Sequence, residues 1–228
     1  MTALDASRRL LAIDTSTAVA VVALGGPDGR LDGADGWAAG YRHGEDLLPR
    51  VRALLASHGV ALADLGGVIV GTGPGAFTGL RVGIATAKGL AHALRLPIAG
   101  VPSGAALLAA SADAGTANPV LLLPAGPNDA VLVRDDRAPE RLPGGTAPSL
   151  ESGETLVAVD LGGRAPADAL ARGERAREGF AAALVRIGAE RLTVGDADDL
   201  ARLVPEYVTL PRGVAATSGE VAWSRDPR

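Results

Sequence analysis

A chain of 228 residues, 47% of them hydrophobic, is long enough to form one large domain or two smaller lobes around an apolar core. It has no cysteine, which excludes disulfides, thiolate metal sites and cysteine nucleophiles. The formal net charge of −4, without any run of basic residues, argues against a protein that binds nucleic acid on its own.

The N-terminal region predicts three strands and no membrane segment. Residues 10–13, 18–24 and 31–37 are apolar or mixed runs separated by short polar turns, which is the pattern of antiparallel hairpins. The apolar part of this region contains Asp14 and is shorter than the roughly 18–20 residues of a membrane span. Residues 1–9 also lack the pattern of a signal peptide. We therefore expect a cytoplasmic protein without membrane contact.

An amphipathic helix is predicted next, over residues 47–58. Acidic residues at its start and arginines farther along suit the helix dipole, and Gly59 ends it. Its leucine and valine side chains recur at helical spacing and form one broad apolar stripe. A stripe of this kind packs either on the protein's own core or on a partner.

The most informative stretch is a glycine-rich loop between a strand and a helix. Residues 67–70 are apolar and largely β-branched, residues 71–79 contain four glycines and a proline, and residues 80–94 are rich in helix formers. Because a loop at a helix N-terminus presents free N–H groups and the positive end of the helix dipole, this loop can hold an anion. A tight turn in which Thr78 caps the helix explains the same glycines equally well. The stretch matches neither the Walker loop nor Gly-x-Gly-x-x-Gly.

Beyond this loop, strands continue to alternate with helices. Pro97 ends the helix and a strand over 98–101 follows, which gives the order βββαβαβ that is typical of a ribonuclease-H-like lobe. Ser103 is the predicted N-cap of a third helix. We place the lobe boundary here, with a first lobe over 1–102 and a smaller second lobe over 103–228, whose last segment is able to pack back on the first. The remaining predicted elements are helix 105–112, strands 120–123, 130–133 and 155–159, a region over 134–153 that is mostly loop, a helical turn over 167–172, and helices 177–190 and 198–204.

The sequence contains little that suggests catalysis by this chain alone. The three histidines are His43, His58 and His92, and no two of them lie four residues apart, so no helix displays a paired-histidine metal site. A Gly-x-Ser-x-Gly nucleophile elbow is also absent from the sequence. We assign no catalytic residue and no metal ligand.

The glycine loop and the helix after it carry a family resemblance. The chain resembles the TsaB (YeaZ) family, which takes part in making threonylcarbamoyladenosine in bacterial tRNA, in Gly71-Thr72-Gly73-Pro74-Gly75-Ala76-Phe77-Thr78-Gly79-Leu80-Arg81-Val82-Gly83 and in Ala85-Thr86-Ala87-Lys88-Gly89-Leu90-Ala91. The resemblance is strong over residues 10–101 and weak after them. It implies an α/β, two-lobed actin-like ATPase (ASKHA, ribonuclease-H-like) fold with mixed sheets flanked by helices.

The turn after the first strand has two interpretations within that fold. Asp14, Thr15 and Ser16 resemble the first phosphate loop of the actin-like superfamily, in which the aspartate helps to hold a metal. No glycine occurs between Asp14 and Gly25, although close approach to a phosphate favours glycine. The alternative is that the Asp14 carboxylate caps its own turn.

The resemblance also implies a function. It describes a non-catalytic partner that dimerises with a TsaD-type transferase, which transfers a threonylcarbamoyl group to the adenosine beside the anticodon, while a TsaE-type ATPase acts with both. In this description tRNA is contacted only through the complex, no cofactor binds to the chain alone, and ATP or ADP with Mg is a candidate ligand of the complex interface. The alternatives that stay open are an ATP-dependent phosphotransferase of the actin-like superfamily and a homodimeric scaffold.

Two sets of candidate residues follow from this description. The interface set lies on the helices 47–58 and 80–94 and consists of Leu47, Leu48, Val51, Leu54, Leu80, Gly83, Ala87 and Leu90. The loop set, for a phosphate or another anion, consists of Asp14, Thr15, Ser16, Gly73, Gly75, Thr78 and Gly79.

Overall fold

The computed structural model describes residues 5, 7–38, 40 and 43–208. The predicted tail beyond residue 208 lies outside the described residues. The strands are β1 (Arg9–Asp14), β2 (Val19–Gly25), β3 (Leu31–Ala38), β4 (Leu65–Gly73), β5 (Ile98–Pro102), β6 (Pro119–Pro124), β7 (Ala130–Val133), β8 (Glu140–Leu142) and β9 (Thr155–Ala158). The α-helices are α1 (His43–Ser57), α2 (Phe77–Leu94), α3 (Ser103–Asp113) and α4 (Ala167–Thr193).

The first sheet has five strands in the order β3-β2-β1-β4-β5. β1, β2 and β3 pair antiparallel, whereas β4 and β5 continue the sheet in parallel with β1. Ile13 in the central strand lies opposite Val22 on one side and Val70 on the other. This is the ribonuclease-H-like arrangement that the sequence predicts, and the predicted α/β fold class is confirmed.

The second sheet repeats the order of the first four strands. It runs β8-β7-β6-β9, with β6, β7 and β8 antiparallel and β9 parallel to β6. In the first sheet the connection to the parallel strand contains α1, whereas the corresponding connection from β8 to β9, residues 143–154, forms no helix. The repeat therefore lies in the topology, although the sequence contains no recognisable repeat.

Helices cover both faces of the first sheet. α1 and α2 pack on one face around Leu11, Val22 and Val68, while α3 and α4 lie between the two sheets. At Gly67 and Gly188 an added Cβ atom would come within 2.8 Å of Leu192 and 2.5 Å of Ile69, so glycine lets α4 lie close to the sheet. One apolar core therefore continues from the predicted first lobe into the second.

Two predictions for the second half are wrong, namely the break between two helical pieces and the helix over 198–204. The pieces 167–172 and 177–190 belong to the single helix α4, in which Gly173 lies where the Ala158 carbonyl leaves no room for a side chain. Residues 198–204 contain only a turn, in which Arg202 and Leu203 both donate to the Asp199 carbonyl. Residues 134–153 are mostly loop, as predicted, apart from the short strand β8.

Within the part of the chain that the structure describes, no helix is both long enough and apolar enough to cross a membrane.

Candidate functional site

The loop set of candidate residues comes together at the carboxyl ends of β1 and β4 in the first sheet. β1 and β4 are neighbouring parallel strands, so the turn after Asp14 and the loop after Gly73 leave the sheet side by side. The N-terminus of α3 reaches the same place, because β5 pairs with β4 and ends at Pro102. In many α/β proteins the ligand binds at the carboxyl ends of the strands.

Asp14 is the centre of the cluster and is completely buried. Its Oδ1 accepts hydrogen bonds from the backbone N–H and the hydroxyl of Ser16, at 2.8 and 2.7 Å, and its Oδ2 accepts one from the Ser103 hydroxyl at 2.5 Å. Burial raises the pKa of the Asp14 carboxyl, and the bonds from Ser103 and Ser16 act in the opposite direction. The carboxylate therefore caps its own turn, as one of the two interpretations predicts, and also joins that turn to α3.

Ser103 is not the N-cap that the sequence predicts. It is the first residue of α3, Pro102 occupies the cap position, and no side-chain cap bond forms there. The Ser103 hydroxyl instead accepts the Gly73 N–H at 3.0 Å while it donates to Asp14. It thus links three loops that are far apart in the sequence.

The glycines of the loop leave space for the turn that contains Asp14. A side chain at Gly71 would overlap the Asp14 carboxylate, and one at Gly75 would overlap the Ser16 carbonyl, which accepts the Ala76 N–H at 2.7 Å. The Thr15 hydroxyl donates to the Gly79 carbonyl at 2.6 Å. These glycines therefore serve close packing between two backbone segments of the same chain.

Thr78 does not cap α2. The helix begins at Phe77, its cap position is Ala76, and no side-chain cap bond forms. The Thr78 side chain is exposed in the first turn of the helix. The tight-turn interpretation is correct about the loop but wrong about this residue.

The residues of this cluster do not fit a metal-bound nucleotide held by this chain alone. The Asp14 carboxylate, which would have to approach a metal, is buried and already accepts three hydrogen bonds from Ser16 and Ser103. The glycines that would admit a phosphate are occupied by the neighbouring turn. Among the described residues, no three His, Cys, Asp or Glu side chains are grouped so that they could hold a metal ion. The geometry supports a structural role for the loop set.

A cleft of about 450 Å³ lies beside the cluster, between the two sheets. Its lining includes Ser16 and the first residue of α2, Phe77, on the side of the first sheet, and Ala125 and Asp160 on the side of the second. The Asp160 carboxylate accepts the Ala18 N–H at 2.7 Å and is bonded to Arg177 of α4, so it joins loops from opposite walls. Asp160 adopts a φ of 60°, which is uncommon for a residue other than glycine.

Most of the predicted interface residues face the protein's own core, which corrects their assignment to a surface. Four of them belong to the core that covers the first sheet, because α1 and α2 lie on it with their apolar stripes inward: Leu47, Val51, Leu54 and Ala87. Leu48 is 47% exposed and Leu90 is partly buried, so only these two remain candidates for a contact with a partner. The six buried residues are Leu47, Val51, Leu54, Leu80, Gly83 and Ala87.

The outward side of the two helices carries exposed small residues between charged ones such as Arg52 and Arg81. Gly89 is exposed in the interior of α2, and a Cβ atom added there would meet no heavy atom within 4 Å. We define the outer face as Leu48, Ala53 and Ala56 on α1 together with Ala85 and Gly89 on α2, all of which are exposed. The four-residue spacing of Ala85 and Gly89 was a signal in the sequence that could have identified this face.

Comparisons with known proteins agree with this architecture. The family model of TsaD, tRNA N6-adenosine threonylcarbamoyltransferase, matches residues 38–190. The tRNA threonylcarbamoyladenosine biosynthesis protein TsaB of Escherichia coli is 42% identical over 93 residues, which is 41% of this chain and 39% of that protein. The solved structure of YeaZ from Pseudomonas aeruginosa has a TM-score of 0.67 and 26% identity, and the match covers 88% of this chain and 100% of that one.

The sequence matches are confined to part of each curated relative. An uncharacterized protein of Mycobacterium leprae is 43% identical over 101 residues, which is 41% of this chain but 27% of that protein. The chain thus spans well under half the length of the curated relatives that it matches. The structural match to YeaZ, in contrast, extends over the whole of that chain.

Proposed function

The chain belongs to the TsaD family as a member of its TsaB (YeaZ) branch, and on this premise we propose that it is an accessory subunit that pairs with a TsaD-type transferase. In this role it supports transfer of the threonylcarbamoyl group to the adenosine beside the tRNA anticodon. The observation that carries the proposal is the outer face of α1 and α2, where exposed small residues leave room for another pair of helices.

The outer face suits helix–helix contact for a physical reason. Small side chains on a helix allow a second helix backbone to approach closely and to gain many van der Waals contacts. Ala85 and Gly89 lie one turn apart on α2, and the exposed Leu48 on α1 supplies an apolar side chain that a partner would bury. The same face could pair with itself when the chain is alone, which is the homodimeric alternative.

The loop cluster supports a role without catalysis. An ATP-dependent phosphotransferase would need Asp14, but the Asp14 carboxylate is hydrogen-bonded to Ser16 and Ser103. We therefore place ATP or ADP with Mg, the TsaE-type ATPase and the tRNA on the assembled complex, with no nucleotide site on this chain alone. Because such a complex would act on tRNA, we propose a cytoplasmic location for it.

Reconstitution tests the proposal directly. The chain and the TsaD-type transferase of the same organism are purified, their association is measured by light scattering, and threonylcarbamoyl transfer to tRNA is assayed with the other components present. We expect a stable heterodimer and a transfer activity that requires this chain. Failure of the two proteins to associate, together with transfer that is unaffected by this chain, would overturn the proposal.

A matched pair of variants tests the location of the contact. Ala85→Leu adds bulk to the outer face, and Ala182→Leu adds the same bulk at an exposed position of α4 that lies outside it. Ala85→Leu should weaken association and transfer, whereas Ala182→Leu should leave both unchanged. Equal behaviour of the two variants would remove the outer face as the docking site.

A further inference from the structure

Three residues of the glycine-loop string lie outside the Asp14 cluster, and one of them, Arg81, is exposed one helical turn before Ala85 of the outer face. They are Thr72, Phe77 and Arg81, and their side chains all contact the segment that follows α4. We call residues 196–208 the C-terminal strap. Although it contains no helix or strand, it crosses from the edge of the first sheet to the N-terminus of α2.

The strap is first held on β5, the edge strand of the first sheet. The Asp198 N–H donates to the Ile98 carbonyl at 2.8 Å, and the Asp198 carboxylate accepts the Gly100 N–H at 2.7 Å. Arg191, in the last turn of α4, donates to both the Asp198 carboxylate and the Gly100 carbonyl. These bonds satisfy backbone groups that an edge strand would otherwise expose.

The middle of the strap is held by the apolar core and by α2. Leu203 is 8% exposed and joins the core under α2. Its carbonyl accepts a hydrogen bond from the ammonium of Lys88 on α2 at 3.2 Å. The strap is therefore attached to α2 as well as to the sheet.

The end of the strap contacts the glycine loop and the first two turns of α2. The Glu206 N–H donates to the Thr72 carbonyl at 2.8 Å, and the Thr72 hydroxyl donates to the Glu206 carboxylate at 3.1 Å. The Tyr207 ring lies 5.0 Å from that of Phe77, and its hydroxyl accepts from Arg81 Nε at 3.0 Å. The Arg81 guanidinium lies 3.9 Å above the Phe77 ring, a cation–π distance.

These contacts compensate for a weakness of α2. Its N-terminus has no side-chain cap bond, and an uncapped helix end frays. We propose that the C-terminal strap is a positioning element: through Tyr207 on Phe77 and Arg81 it keeps the N-terminal turns of α2 ordered, and so holds the outer face in the shape that a partner helix recognises. The link to a partner rests on the proposed function, whereas the ordering of α2 does not.

Hydrogen exchange on the chain alone tests the ordering. In Tyr207→Ala the amides of residues 80–84 should exchange about tenfold faster or more, because the strap no longer opposes local opening. The amides of α1, which the strap does not contact in any described hydrogen bond, serve as the internal control and should not change. Unchanged exchange in α2, or equal acceleration in α1 and α2, would overturn the proposal.

Association with the transferase tests the consequence. Tyr207→Ala and Arg81→Ala should each weaken association about tenfold, and the double variant should lose little more, because both remove the same contact. Tyr207→Phe, which keeps the ring on Phe77, should restore most of the affinity. Val204→Ala is the control, since Val204 belongs to the strap but is 62% exposed.

The outcomes separate this inference from the proposed function. Additive losses in the double variant, or a loss with Val204→Ala equal to that with Tyr207→Ala, would mean that the strap contacts the partner directly and would refute a positioning role. If the unaltered chain fails to bind the transferase, the proposed function fails, and the exchange measurement still decides whether the strap orders α2.

Discussion

Replacement of Gly89 should separate the stability of the chain from its binding to a partner. Gly89 lies in the interior of α2, where an added Cβ atom would meet nothing within 4 Å. Glycine is about 1 kcal/mol less favourable than alanine in a helix interior, so Gly89→Ala should raise the free energy of unfolding by about that amount. In a chain of this length the gain corresponds to a rise of about 2–4 °C in Tm. Gly89→Leu should retain most of it, because leucine is also a good helix former.

Binding should change in the opposite direction. If a partner helix approaches α2 at Gly89, a leucine side chain overfills the contact at a cost of about 1–3 kcal/mol, so Gly89→Leu should weaken association about tenfold. Thermal unfolding of the chain alone and calorimetric titration with the transferase measure the two effects on the same preparations. A less stable Gly89→Leu would mean that the residue packs within its own chain. A more stable variant with unaltered binding would refute the use of this face.

Substitutions at three further positions test the loop cluster and the strap. Gly83→Ala should lower the free energy of unfolding by about 1–3 kcal/mol, because the new methyl group overlaps the Thr15 hydroxyl; a neutral effect in denaturant titration would contradict this packing. Asp14→Ala should cost about 2–3 kcal/mol in the same assay by leaving the Ser16 donors without an acceptor, and Asp14→Asn should cost less because it keeps one; equal losses would argue against this account. Burial raises the pKa of the Glu206 carboxyl above its ordinary value of 4.5, so the stability it contributes is present below pH 4.5 and is lost as the pH rises through the raised pKa. Glu206→Gln, which stays neutral, should therefore be slightly more stable than the parent near pH 7, by an amount that partial exposure keeps small, and the difference should vanish below about pH 4.5; a difference that is constant with pH would exclude titration of this group.

The sequence predicts the central strands of the first sheet well because β1 and β4 are buried on both faces. Residues 10–13 and 67–70 form short apolar runs that fit no other element, and the alternation of strands and helices restricts the order in which they pair. Helical spacing also identifies the apolar stripe of α1. Spacing alone does not say what a stripe faces, and Leu47, Val51 and Leu54 cover the sheet of their own chain.

Contacts between distant parts of the chain escaped the sequence analysis for a common reason. Ser103 has the residue type and position of an N-cap, yet its hydroxyl is used by Asp14, 89 residues earlier. Gly173 resembles a helix break, but it marks the place where α4 crosses the Ala158 carbonyl. The C-terminal strap has no periodic pattern, since side-chain contacts with Thr72 and Arg81 hold it in place. Local propensity carries no information about such distant partners.

The position of α4 on the first sheet has a consequence for synthesis of the chain. The strands of that sheet are complete at Pro102, but the helix that covers one of its faces spans Ala167–Thr193. At a translation rate of about 5–20 residues per second, α4 is synthesised roughly 5–20 seconds after β5. Until then the apolar face around Leu10, Ile69 and Ala99 lacks the helix that covers it. During this interval the nascent chain presents an unprotected apolar surface outside the ribosome, where a chaperone that binds such surfaces can act on it.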